Sequence, residues 1–255
     1  HRKQPSVPMT IVGLPPMEDG YLGEAIGDAF LPVLKFQHTD VSDLFLPLET
    51  GFHNLAIVAS KQRYPRQARK TALGLLGAGQ MMFLKSIVAV DEYHEVKDLN
   101  ALLRAIDYNV RIPEDITILD GMVADTLAHA APWENVHSKL IIDATTLSKN
   151  DPRASEGKQM GCPDSLAVSA SGIVDVIDGR MLGTSMLVVT TKIANGPMPE
   201  FSMEEVDEDG ARAQREQIAR IRDEIWSLEA AKNLRWLFIT DDDADLRDEN
   251  WKRRL

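Results

Sequence analysis

Asn54-Leu55-Ala56-Ile57-Val58-Ala59-Ser60-Lys61 and, after a basic stretch and a helical one, Leu84-Lys85-Ser86-Ile87-Val88-Ala89-Val90-Asp91 are the two segments on which the fold turns. Each is a short apolar run, the composition of a strand buried on both faces. Between them, residues 65–76 carry apolar side chains at helical spacing. Strand, helix, strand in that order implies an α/β domain with a parallel pairing.

Other runs extend the pattern. Thr10-Ile11-Val12, Ile116-Thr117-Ile118-Leu119, Met186-Leu187-Val188-Val189-Thr190 and Trp236-Leu237-Phe238-Ile239-Thr240 read as strands, and residues 20–34, 99–106 and 211–232 as helices. The fold class expected is α/β, a mixed and mostly parallel sheet flanked by helices. An internal duplication is also expected. Asn54 to Lys61 resembles Ser185-Met186-Leu187-Val188-Val189-Thr190-Thr191-Lys192, and Leu84 to Asp91 resembles Leu234-Arg235-Trp236-Leu237-Phe238-Ile239-Thr240-Asp241, with Asp98 and Asp248 as matched helix caps. Such units are expected to pack side by side and extend one sheet. The stretch 150–164, with Asp151-Pro152 and Cys162-Pro163, is linker-like, which divides the chain into a domain at 1–150 and a second repeat at 151–255, truncated at its C-terminus.

The 255 residues are 44% hydrophobic and 26% charged, enough to bury a sizeable core. A formal charge of −11 repels a phosphate backbone, so nucleic acid is excluded as a partner. With Cys162 as the sole cysteine there is no intrachain disulfide and no thiolate zinc site. No apolar run is long enough to span a membrane. A cytoplasmic location, at most peripheral to the membrane, fits these features. The chain opens without a methionine and closes on Trp251-Lys252-Arg253-Arg254-Leu255, which reads as the start of a helix, so it is expected to be part of a longer protein.

Motifs taken singly assign no chemistry. Asp241, Asp243 and Asp245 have the spacing of the first calcium-loop ligands, but Leu246 and Lys252 stand where glycine and glutamate are required, leaving a solvated turn. Gly74 to Gln80 runs from helix to strand, the reverse of a dinucleotide fingerprint, and serves as a helix C-terminus or a close backbone approach. The six histidines include no i,i+4 pair. Arg66, Arg69 and Lys70 share one helical face, read as solvated in preference to an anion site.

A family resemblance supplies more. Gly13-Leu14-Pro15-Pro16-Met17-Glu18-Asp19-Gly20-Tyr21-Leu22-Gly23-Glu24-Ala25, Phe52-His53-Asn54, Arg63-Tyr64-Pro65-Arg66-Gln67-Ala68-Arg69-Lys70, Gly79-Gln80-Met81-Met82-Phe83-Leu84-Lys85, Val90-Asp91-Glu92 and Ser138-Lys139-Leu140-Ile141-Ile142-Asp143-Ala144-Thr145 occur in order over the first 150 residues. They resemble the C-terminal region of UbiD-family aromatic acid decarboxylases. Where the family continues with a basic residue and Trp-Pro, this chain has Thr146-Leu147-Ser148. The second half resembles the extended C-terminal region of larger, menaquinone-pathway members.

The resemblance implies a carboxy-lyase that decarboxylates a hydroxybenzoate- or naphthoate-like acid, with or without a polyprenyl tail, in ubiquinone or menaquinone biosynthesis. It implies prenylated FMN, Mn2+ and K+ in the full-length enzyme, with none held by this chain alone, and a homo-oligomer. Gly79, Gln80, Met81, Met82 and Lys85 are the implied cofactor-facing residues, and Met82, Ala131 and Pro132 the substrate wall. The catalytic acids and arginine of the family precede this chain, so no catalytic residue is assigned, no metal ligand is assigned, and the chain alone is expected to be inactive. A non-catalytic oligomerisation or scaffolding module is the alternative, and a nucleotide-binding regulator resting on the glycine loop a third reading.

Overall fold

The computed structural model describes residues 17–47, 50, 54–125, 135–155, 160–192 and 208–241. They fall into two compact units, His1–Gly157 and Lys158–Arg254. The strand at Thr10-Ile11-Val12, the motif residues before Met17, the acidic turn after Asp241 and the cap at Asp248 lie outside the described residues.

The first unit holds helix α1 (Met17–Gln37), strands β1 (Val41–Phe45) and β2 (Leu55–Ser60), helix α2 (Gln67–Leu76), a 3-10 turn (Gly79–Phe83), strand β3 (Ser86–Asp91), helix α3 (Leu99–Asn109) and strands β4 (Ile116–Val123) and β5 (Val136–Asp143). Its five-stranded sheet has the order β1-β2-β3-β5-β4. The parallel core is β2-β3-β5, with Leu55 opposite Ser86 and Ser86 opposite Leu140. Antiparallel β1 and β4 close its two edges. β2 and β3 are apolar over most of their length because both of their faces are covered. Ala56, Val58, Ile87 and Ile141 pack under Leu34 of α1 and Ala72, Leu75 and Leu76 of α2, while Ile57, Ala59, Val88, Val90 and Ile142 on the opposite face are buried as well. At the start of α3 the Asp98 carboxylate accepts from Asn100 N at 2.9 Å and Ala101 N at 3.0 Å, satisfying two of the orphan amides of the first turn.

The second unit carries helix α4 (Ser165–Ala170), strands β6 (Val176–Met181) and β7 (Met186–Thr191), helix α5 (Glu208–Ser227) and strand β8 (Trp236–Asp241). Its three-stranded sheet has the order β6-β7-β8, with β7 and β8 parallel from Met186 opposite Trp236 to Thr191 opposite Asp241. Leu187, Val189, Ile221 and Ile225 form its core with Leu166 and Ala170.

The architecture is α/β with mixed sheets flanked by helices. Two expectations are corrected. The strands of the two halves form separate sheets rather than one extended sheet. Parallel pairing is confined to β2-β3-β5 and β7-β8, while β1 with β2, β4 with β5 and β6 with β7 pair antiparallel.

Candidate functional site

The Gly79–Phe83 turn lies at the amino ends of the parallel strands, between the last turn of α2 and the first residue of β3. Gly79 has φ +47°, a left-handed conformation that L side chains rarely adopt, and a Cβ there would meet nothing within 4 Å. The chain can therefore approach a flat partner closely at this point. Gly79 and Gln80 are exposed, and Met82 and Lys85 half-buried. Met81 faces the other way. At 3% exposure its side chain sits in the core with Leu75, Leu84 and Ile87 and anchors the turn. Ala131 and Pro132 lie outside the described residues.

The structure adds a residue to this end of the sheet. On β5 the inward positions are His137, Lys139, Ile141 and Asp143, all buried. Lys139 has no exposed surface, and its Nζ donates to Met82 O at 2.7 Å and Leu84 O at 2.6 Å. Burial lowers its pKa to about 8. His137 is 5% exposed, its pKa lowered by burial and by the positive charges of Lys139 and Lys85, and its Nε2 is buried with no hydrogen-bond partner.

A second polar cluster occupies the carboxyl ends of the same strands. Asp115, 2% exposed, accepts through Oδ1 from Arg66 at 2.7 Å and Arg153 at 2.6 Å and through Oδ2 from Arg111 N at 2.9 Å. Arg153 also donates to Asp151 from Nε at 2.9 Å and Nη2 at 2.8 Å. That hydrogen bonding lowers the Asp151 pKa to about 2 and raises that of Arg153. Asp143 is pushed upward by burial, against the opposing hydrogen bonds from Thr145. A small polar recess lies here, lined by Gln62, Arg66, Asp143 and Thr145 among others. The arginines and carboxylates of this cluster consume one another's charge and tie together the connections around Arg66, Asp115 and Arg153. They also correct the reading of the basic face: Arg66 and Arg69 turn onto the Glu114–Asp115 corner, both donating to Glu114 O, and Lys70 alone of the three is largely exposed.

Among the described residues no group of three or more His, Cys, Asp or Glu side chains could hold a metal ion, and no helix is long and apolar enough to cross a membrane. A divalent metal thus finds no ligand set there. In the Gly79–Phe83 turn the Gly79 backbone is open and Met82 is half-buried.

Residues 20–144 match the family model of the 3-octaprenyl-4-hydroxybenzoate carboxy-lyase C-terminal domain. An uncharacterised protein of Archaeoglobus fulgidus is 38% identical over 67% of this chain and 34% of its own length, and one of Aquifex aeolicus 45% identical over 59% and 31%. The chain spans about a third of the length of these relatives. Among solved structures, the vanillic acid decarboxylase of Sedimentibacter hydroxybenzoicus matches with 26% identity and a TM-score of 0.47 over 53% of this chain and 28% of that one. The enzyme HmfF of Pelotomaculum thermopropionicum, in complex with FMN, matches with 16% identity and a TM-score of 0.48 over 55% and 31%.

Proposed function

We propose that this chain, whose residues 20–144 match the C-terminal domain model of the UbiD-type carboxy-lyases, forms one wall of the active-site cleft in a larger carboxy-lyase. The substrate is an aromatic acid of hydroxybenzoate or naphthoate type, and its place is in quinone biosynthesis. Prenylated FMN bound by the whole protein supplies an electron sink for the carbanion left when CO2 departs. The residues of this chain orient and enclose. Gly79 and Gln80 approach the flavin through main chain, Met82 lies against an aromatic ring and excludes water, and Lys85 brings a cation suited to an anionic cofactor. Ala131 and Pro132 complete the substrate wall in this reading. Mn2+ and K+ are held by other parts of the whole protein, which is a cytoplasmic homo-oligomer. The observation that carries the reading is the family match, which takes in the turn and its cation clamp alike.

The test is turnover of a panel of hydroxybenzoates and hydroxynaphthoates by the whole protein, followed by release of CO2, with Met82→Lys alongside. Wild type is expected to decarboxylate at least one acid. Met82→Lys is expected to lose that turnover at a near-normal melting temperature, because Met82 is half-buried and leaves room for a long side chain to reach the cleft. Absence of turnover across the panel in a flavin-loaded protein would argue for the scaffolding alternative, to which the exposed Ile118 on edge strand β4 lends some support.

A further inference from the structure

Lys139 is a fully buried lysine on the inward face of a core strand, and among the described residues it makes no ion pair with a carboxylate. Its partners are two main-chain oxygens, those of Met82 and Leu84. Desolvating an ammonium is expensive, and a methionine of similar length would fill the same space without that cost. Packing alone therefore does not call for lysine here. What the ammonium supplies is a pair of directional contacts where a short 3-10 turn passes into β3. Such turns are weakly held by their own hydrogen bonds, here Met81 N to Ala78 O at 3.0 Å and Leu84 N to Met81 O at 3.2 Å. Met81 pins the turn from its core side, and Lys139 fixes the path of its last residues from a strand 57 positions further along the chain.

We propose that Lys139 is a positioning residue: by gripping the carbonyls of Met82 and Leu84 it sets where Gly79, Gln80 and Met82 meet a ligand in the cleft of the whole protein. This role rests on the cleft reading given above. The ammonium touches no ligand itself. It acts through the main chain of the turn, so it governs how well substrate is held more than the chemistry done on it, and its loss belongs in KM.

The experiment compares wild type, Lys139→Met, Lys139→Gln and Lys139→Arg in the whole, flavin-loaded protein. It reads amide hydrogen exchange over residues 79–85, the melting temperature, and kcat and KM with whichever acid of the panel turns over fastest. Lys139→Met is expected to exchange at least tenfold faster across the turn while β3 keeps its protection. Its KM is expected to rise about tenfold with kcat within twofold of wild type, and Lys139→Arg to recover part of both. Unchanged exchange in Lys139→Met would overturn the clamp whatever the kinetics do. Faster exchange with unchanged KM would overturn the positioning role. Faster exchange in a wild-type background that turns over no acid would overturn the cleft reading and this role with it, leaving the clamp as a folding device. Should Lys139→Met fail to fold, Lys139→Gln carries the same comparison, and loss of the fold in all three variants would overturn a role confined to the turn.

Discussion

Arg66 and Asp115 lie 49 residues apart in sequence and are joined by a hydrogen-bonded ion pair of 2.7 Å. Arg66 holds φ 66°, an uncommon conformation for a side chain with a Cβ, at the residue that opens α2. The ion pair accounts for its tolerance. It fixes the connection from β2 to α2 against the corner before β4, and Arg153 closes on the same carboxylate oxygen.

Asp115→Ala is therefore expected to destabilise the first unit by about 3 kcal/mol or more, because it leaves two arginines without their shared acceptor in a largely buried setting. Urea unfolding followed by circular dichroism measures this. A change below about 1 kcal/mol would mean that the cluster is a solvent-exchanging surface pair.

Acid should uncover Asp151. Its folded pKa is about 2 against an ordinary 3.8, so the native state binds its proton less readily than the unfolded chain. The stability this contributes, about 2 kcal/mol, is present above pH 4 and lost as the pH falls from about 4 towards 2. Asp151→Asn is expected to flatten the fall of melting temperature across that window.

Base should act on Lys139 with the opposite slope. Its folded pKa of about 8 lies below the ordinary 10.5, so between those values the unfolded chain carries the proton and the native state does not. Stability from this group rises with pH over that range, because burial disfavours the charged ammonium in the native state alone. Melting curves from pH 7.5 to 10 should show the rise in wild type and its loss in Lys139→Met.

In the second unit, Gly179 on β6 lies against the backbone of α4: a Cβ would stand 2.6 Å from Ala167 O. Because main chain cannot swing aside as a side chain does, Gly179→Ala is expected to lift α4 from the sheet and to cost about 1–3 kcal/mol. Gly27, whose Cβ would meet nothing within 4 Å, is the control, and its replacement by alanine should be neutral or slightly stabilising.

The strands with continuous apolar runs were legible: β2, β7 and β8 lie within a residue of where the runs place them and β3 within two. β1 and β6 were not. Val-Ser-Asp-Leu-Phe and Val-Ile-Asp-Gly-Arg-Met mix polar residues into edge strands that are only partly covered, which weakens the periodic signal. The separation of the two sheets was hidden for the same reason, since β1 and β4 close the first sheet with sequences that do not announce themselves as edges. At the site, the turn was legible through the family motif, whereas Met81 required knowledge of which way a 3-10 turn faces. Lys139 was recoverable in principle. In Val136–Asp143 it shares the inward parity of His137, Ile141 and Asp143, and a lysine on the buried side of a strand marks a buried cation. Asp115, Asp151 and Arg153 come together only through tertiary structure and had no local signal.

Lys139 holds oxygens that every amino acid possesses. The route of the 79–85 segment is thereby uncoupled from the identities of its outward side chains, so positions 80 and 82 can be exchanged without redrawing the backbone that presents them. Randomised libraries at these two positions should return a high proportion of folded proteins with altered acid preference, and the clamp makes this turn a place where substrate range can drift while the scaffold stays still.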